Sequence, residues 1–352
     1  MCDFSRYGVP SEEWLRVEAT LPTPQDQSVE ELKNTTNAGR EAVAKKEMEL
    51  LANKVTTHDH SVLTRDGYKL EVRSYRPTAA ATNEALPIYI HFHGGGFLFG
   101  TLGTEDASCS RIAINVGVVV VNVNYRHTPE YTYPTAWNDS EDALIWISNN
   151  ASLLGGDRHR VVIGGVSAGG RLTASLVQKA FRSELNFESP PTILGQVLLI
   201  PGLVSKACYE LHMKQIRDPS ISSYHQCAEA PLLDSRRRKL FNDLLKVEGE
   251  HQTSQRYNPG LVKPEEARRL PATTFGIAGN DPLRDEGILY GKLLADNGVP
   301  TNIHVFKGVP HGFRRFGEKL SVSKEYDAVI EEGIRWALTK PSTSAPFIVQ
   351  EH

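Results

Sequence analysis

The stretch Arg160-Val161-Val162-Ile163-Gly164-Gly165-Val166-Ser167-Ala168-Gly169-Gly170-Arg171-Leu172 constrains this chain more than any other. Its β-branched start reads as a buried strand, Gly165-x-Ser167-x-Gly169 as a tight turn, and Leu172, Leu176, Val177 and Ala180 as a helix at 3.6-residue spacing. Strand, turn and helix together place Ser167 at an apex. The backbone must reverse while the serine takes a strained conformation, so the flanking positions can carry almost no side chain. Such a turn exposes the hydroxyl above the strand end and aims the following N–H groups at whatever it attacks. A glycine turn with a helix-capping serine would use the same residues, so the pattern needs partners elsewhere in the chain.

Three loops offer them. His93-Gly94-Gly95-Gly96-Phe97 follows the dense apolar run 87–92; its glycines let backbone N–H groups approach a ligand, as an oxyanion hole requires, and equally suit a flexible turn. Asp281 follows the run 273–278 behind Gly279-Asn280, and His311 stands in Gly308-Val309-Pro310-His311-Gly312 after the run 302–306. Each lies at the carboxyl end of an expected strand, where open α/β sheets place their ligands. Singly, such an Asp is a turn or helix cap and such a His a surface residue. The chain order Ser, Asp, His is the one expected when a triad is built on this sheet topology. Asp285 competes for the acidic role, but it opens the helix bearing Leu289, Leu293 and Leu294, where the helix dipole accounts for it.

Around these loops the chain alternates. Val62, Leu63, Tyr68, Leu70, Val72 and Tyr75 flank the turn signal Arg65-Asp66-Gly67 as a hairpin. Denser runs at 87–92 and 116–125 read as strands buried on both faces, and strands continue at 160–166, 196–200, 273–278 and 302–306. Helices fall between them, one including Ile112, one carrying Trp137, Ala143, Leu144 and Ile147, and a last one over 324–339. This alternation predicts a mostly parallel sheet with helices on both faces. Residues 203–260 interrupt it without a convincing strand, which predicts an inserted element rather than a loop. Residues 1–54 are polar and helical, with a capping box at Ser28-Val29-Glu30-Glu31, and have too little apolar surface to stand alone. The expected division is a cap from 1–54 and 203–260, a core from 55–202 and 261–340, and a loosely held tail from 341–352.

Composition narrows the function classes. A 352-residue chain with 40% hydrophobic residues buries a substantial core, and a formal charge of -3 provides no field for nucleic acid or an anionic membrane. The basic run Arg236-Arg237-Arg238-Lys239, beside Leu240, Phe241, Leu244 and Leu245, reads as a solvated helix face. Cys2, Cys109, Cys208 and Cys227 are scattered without metal-ligand spacing, which implies a reducing compartment and no structural metal. The opening Met1-Cys2-Asp3-Phe4-Ser5-Arg6 lacks a signal-peptide pattern and no stretch approaches a membrane span, so the expectation is a soluble, cytoplasmic protein. The sequons at Asn34, Asn138 and Asn150 then read as chance matches.

From about residue 75 to about 336 the chain resembles the hormone-sensitive-lipase-like branch of the α/β-hydrolases. The resemblance is carried by His93-Gly94-Gly95-Gly96-Phe97, Asn124-Tyr125-Arg126-His127-Thr128-Pro129-Glu130, Gly165-Val166-Ser167-Ala168-Gly169-Gly170, Asp281-Pro282-Leu283-Arg284-Asp285-Glu286-Gly287 and His311-Gly312-Phe313. It implies an α/β fold of the α/β-hydrolase type, a mostly parallel central sheet flanked by helices with a helical cap. It also implies Ser167 as nucleophile, His311 as general base, Asp281 as the carboxylate orienting it, and the N–H groups of Gly95, Gly96 and Ala168 as the oxyanion hole. Two positions depart from the family pattern: Val166 stands where Asp is common before the serine, and Arg171 where Asn is common after it. With Phe97 they are the candidate substrate contacts.

The expected activity is cleavage of a carboxylic ester with a small, mostly apolar acyl group through an acyl-enzyme. No cofactor or metal is implied, and the expected partner is a small-molecule ester, with the protein a monomer or homodimer. The same triad would also serve lactone, acyl-transfer, amide or elimination chemistry on a natural product. A ligand-binding receptor on a hydrolase scaffold is the reading from another class.

Overall fold

Apolar runs too short for helices and too long for turns become the strands of one sheet. The computed structural model describes residues 1–22, 26–81, 83–342 and 346–352. Among them are nine strands: β1 (Val55–Leu63), β2 (Lys69–Pro77), β3 (Leu86–Phe92), β4 (Val119–Val123), β5 (Gly156–Val166), β6 (Ile193–Leu199), β7 (Ala272–Asn280), β8 (Thr301–Pro310) and β9 (Val349–Glu351). Their order is β1-β2-β4-β3-β5-β6-β7-β8-β9. β2 runs antiparallel to both its neighbours, and every pairing from β4 to β9 is parallel. The hairpin turns through Gly67 at φ +81°, a left-handed conformation that glycine adopts without strain.

The pleat divides the core between the two faces. Along β3 and β4, Ile88, Ile90, Phe92, Val119, Val121 and Val123 join one apolar cluster, and Tyr89 and Val120 join the other. Helices Thr135–Asn149, Ala168–Phe181 and Arg284–Asp296 cover the first face, and Leu102–Val116 and Val322–Leu338 cover the second. Every residue of β3, β4 and β7 is buried, which accounts for their continuous apolar runs.

Residues 203–260 form short helices without a named strand. The N-terminal segment divides its contacts. Cys2 pairs with this insertion, its N–H donating to Gln215 and its carbonyl accepting from Arg217, each at 2.8 Å. Trp14 instead sinks fully into the cluster around Phe313 and Ile330, and the helix Val29–Met48, opened by the expected capping box, lies along Leu102–Val116.

Two expectations need correction. The tail after 341 is not loose where it is described, because Val349–Glu351 adds a parallel edge strand to β8 and His352 continues the ladder to Val305 and Lys307. The apolar run Phe347-Ile348-Val349 is too short to signal a strand by itself. The basic run is not wholly a solvated face either. On the helix Ser235–Leu245, Arg236 and Lys239 face water while Arg237 and Arg238 turn inward, because 3.6-residue spacing puts Arg238, Phe241 and Leu245 on one side.

No helix among the described residues is long and apolar enough to cross a membrane, and no cluster of His, Cys, Asp and Glu there could hold a metal ion. The four cysteines are free thiols.

Candidate functional site

Strand order brings the site together before any side chain is considered. β3, β5, β6, β7 and β8 are successive parallel neighbours, so the loops leaving their carboxyl ends share one edge of the sheet. Asn280 pairs with Pro310 across β7 and β8, so Asp281 and His311 leave the sheet side by side.

At the end of β5 the chain turns at Ser167, whose φ of +55° is rare for any residue with a Cβ. The Ser167 N–H donates to Leu199 at 2.8 Å, which ties the turn to β6. Close approach dictates the flanking glycines: a Cβ on Gly169 would lie 2.0 Å from the Phe92 carbonyl oxygen, and one on Gly165 would lie 2.3 Å from that of Gly169. The helix Ala168–Phe181 starts immediately after, leaving the Ala168 N–H in its first turn, without an intrahelical acceptor.

His311 Nε2 lies 2.8 Å from Ser167 Oγ, and its Nδ1 lies 2.7 Å from Asp281 Oδ2. Asp281 is 1% exposed, and its other oxygen accepts from the Leu283 N–H at 2.8 Å, so the carboxylate is fixed on both sides. With Nδ1–H donated to Asp281, Nε2 presents its lone pair to the Ser167 hydroxyl. Asp285 faces elsewhere. It accepts from the Ser223 N–H at 2.7 Å and from Arg284 Nε at 2.8 Å, a tie between the helix Arg284–Asp296 and the insertion.

The glycine loop is braced from beneath. Among the described residues the Gly95 and Gly96 N–H groups have no acceptor, while Gly95 accepts from Leu98 and Phe99. Tyr125 donates its hydroxyl to the His93 carbonyl at 2.8 Å and stacks on the His93 ring. Burial holds His93 and His127 each down to about 3, so both rings are neutral supports. From the N-terminal helix, Asn37 accepts from the Gly100 N–H at 2.9 Å and Arg40 donates to the Gly94 carbonyl.

Above Ser167 opens a cleft of about 550 Å³, including its mouth, between the glycine loop and the insertion. Phe97, Ala168 and Arg171 line it, with Val204, Leu233, Leu245 and Leu283 as apolar wall and Tyr209, Arg238 and Phe241 as roof. Phe97 stacks on Trp137 at 4.8 Å. Val166 does not line the cleft: as the residue before the apex it points to the opposite face of β5, where it packs with the cluster of Phe313 and Val309. Arg171 is buried and donates to the carbonyls of Gly202 and Val204 while lying over the Tyr257 ring, so it fixes the root of the insertion as well as the cleft wall. Next to it, Glu286 accepts from the Leu203 and Val204 N–H groups, and burial pushes it up to about 7 against the pull of Arg171. The roof residues were not anticipated from sequence. Their signal was the i, i+3, i+7 spacing of Arg238, Phe241 and Leu245, obscured by the three other cations beside Arg238.

Comparison with known proteins identifies what the chain is similar to. A family model described as alpha/beta hydrolase fold matches residues 89–315. "Esterase LipI" of Mycobacterium tuberculosis is 34% identical over 242 residues, 68% of this chain and 70% of that protein. "Ethyl acetate hydrolase" of Pseudomonas putida is 32% identical over 278 residues, 79% of this chain and 81% of that protein. Among solved structures, that of vibralactone cyclase superposes with a TM-score of 0.86 at 26% identity, covering 95% of this chain and 96% of that one.

Proposed function

This chain belongs to the alpha/beta hydrolase fold family and is a carboxylic ester hydrolase, and from that premise we propose an acyl-enzyme mechanism run by Ser167, His311 and Asp281. The relay of contacts from Asp281 through His311 to Ser167, at 2.7 and 2.8 Å, is the observation that carries it. His311 Nε2 takes the hydroxyl proton as Oγ attacks the ester carbonyl, and Asp281 stabilises the imidazolium that forms. The developing oxyanion lies against the N–H groups of Gly95, Gly96 and Ala168, each such donor being worth about 3 kcal/mol in the transition state. His311 then returns the proton to the leaving alcohol, and water repeats the sequence to release the acid.

The wall of Phe97, Val204, Leu233, Leu245 and Leu283 supports an acyl group whose part next to the carbonyl is apolar and of modest length. Four free thiols support a reducing compartment. A second reading rests on the likeness to vibralactone cyclase: the same acyl-enzyme would be captured by a hydroxyl of its own acyl chain, closing a lactone, if the roof excludes water.

The test is turnover of 4-nitrophenyl esters of increasing acyl length by wild type and Ser167→Ala, with intact-mass detection of the acyl adduct. Loss of roughly a millionfold in turnover, together with loss of the adduct, is expected. An active Ser167→Ala protein would overturn the mechanism. For hydroxyacyl esters, a product lacking the added water mass would favour ring closure over hydrolysis.

A further inference from the structure

Three arginines from three separate parts of the chain converge beside the cleft, and among the described residues no carboxylate is ion-paired with them. Arg40 comes from the N-terminal helix, Arg237 from the insertion helix, and Arg315 from the turn that follows His311. Arg40 and Arg237 lie over the same Phe99 ring, their guanidinium carbons 5.6 and 6.0 Å from its centre. Arg315 reaches back to the Gly312 carbonyl, one residue from His311. Part of the Arg315 side chain stays in solvent, yet the protein around its guanidinium, with the charges of Arg40 and Arg237, pushes its pKa down to about 10.

The charges of Glu105 and Asp234 act on Arg40 and Arg237, but neither acid lies within ion-pair distance of them. Asp234 caps the insertion helix, accepting from the Arg237 backbone N–H at 2.7 Å. Glu105 is held by His91 at 3.1 Å, Glu41 accepts from Thr101, and Glu47 pairs with Arg111. None of the three arginines forms an ion pair among the described residues, although the same molecule pairs Arg65, Arg73 and Arg126 with two carboxylates each. Gathering like charges around a common ring is unfavourable unless an anion completes the group.

The group also adjoins the reactive centre. Phe99 meets Phe241 edge-on at 5.7 Å, and Phe241 with Ser167 lines the cleft. On the next residue of the same helix, Arg238 faces into that cleft with its Nε buried and without a partner among the described residues.

We propose that the enzyme prefers esters carrying an anionic group, a carboxylate or a phosphate, and that Arg40, Arg237 and Arg315 form the subsite that holds it. The proposal builds on the acyl-enzyme reading and names the substrate class of that site. Guanidinium groups are suited to the role, since each presents paired N–H donors to two oxygens of either anion. The anion would sit on the outer side of the Phe99 and Phe241 rings, with the ester carbonyl reaching Ser167 beneath them.

The experiment compares kcat/KM for 4-nitrophenyl butyrate and for mono-4-nitrophenyl glutarate, which add an apolar and a carboxylate-bearing acyl chain respectively. Wild type is expected to favour the glutarate at least tenfold, and the ratio is expected to fall towards one in Arg237→Gln and in Arg315→Gln and with rising salt. A purely structural role would lower both esters alike and leave the ratio where it was. In parallel, calorimetric titration of Ser167→Ala with glutarate and with inorganic phosphate reads the subsite without chemistry, and the tighter of the two identifies the anion. Absence of any preference in wild type, with no binding of either anion, would overturn the proposal. Anion binding to Ser167→Ala, with neither ester forming an adduct on wild type, would uphold the subsite while sinking the acyl-enzyme mechanism.

Discussion

The ring of Phe241 lies directly against Gly96: a methyl group added to that glycine would come within 2.4 Å of the ring. The roof supplied by residues 203–260 therefore rests on the loop proposed to hold the oxyanion, so one contact bears on both cleft height and the placement of those N–H groups. Gly96→Ala is expected to displace the loop and lower kcat at least 100-fold, since small misplacements of positioned donors cost that much. Phe241→Ala should instead raise the ceiling and shift the preferred 4-nitrophenyl ester to a longer acyl chain. Steady-state kinetics over an ester series separates the two outcomes.

Asp281 and Asp285 are four residues apart and engage different partners. Asp281→Asn is expected to leave the melting temperature within a few degrees of wild type and to cut kcat by about 10⁴, the size of effect that follows when the histidine tautomer is no longer fixed. Asp285→Asn removes a buried charge from Arg284 and should cost about 3 kcal/mol or more of stability, with kcat reduced far less. Thermal melts and kcat measured on both variants check this, and reversal of the pattern would exchange their roles.

Glu286 gives stability a pH dependence of known sign. Burial raises it to about 7 in the folded protein, against about 4.3 in an unfolded chain. The folded state thus binds this proton more tightly. Its contribution is fully present below about pH 4.3 and is lost as the pH rises through about 7. Glu286→Gln keeps an acceptor for Leu203 and Val204 and cannot ionise, so urea denaturation at intervals from pH 5 to 8 should show a flatter stability profile than wild type. An unchanged profile would place the proton elsewhere.

Removing residues 346–352 uncovers the edge of β8 and deletes the ladder bonds to Val305 and Lys307 together with the Arg6–Glu351 pair. With each ladder bond worth about 1 kcal/mol, the truncated chain is expected to melt several degrees lower. Its bare edge should also favour aggregation at high concentration. Differential scanning calorimetry and light scattering report on the two effects separately.

The sheet and the positions of Ser167, Asp281 and His311 on its edge were legible because they depend on local signals: β-branched runs, glycine at tight turns, and chain order. The Gly165-x-Ser167-x-Gly169 turn could be read because backbone contacts to Phe92 and Gly169 leave no room for a side chain. What could not be read depends on distance in the chain. Arg40, Arg237 and Arg315 are separated by about 275 residues in all, and nothing local to any one of them signals the others. Val349–Glu351 becomes a strand only because β8 offers an unpaired edge, and Val166 faces away from the cleft through the phase of the pleat, which a motif does not specify.

The left-handed backbone at Ser167 sets two properties of the protein against each other at one position. A side chain held at φ +55° costs roughly 1–3 kcal/mol that glycine would not incur, so robustness alone would favour losing this hydroxyl, and the proposed acyl-enzyme chemistry is what requires it. Ser167→Gly should accordingly tolerate more heat than Ser167→Ala, although both lack the proposed nucleophile. A stabilised, inactive descendant of this chain is thus one substitution away, which makes the scaffold a ready starting point for a protein that holds esters without consuming them.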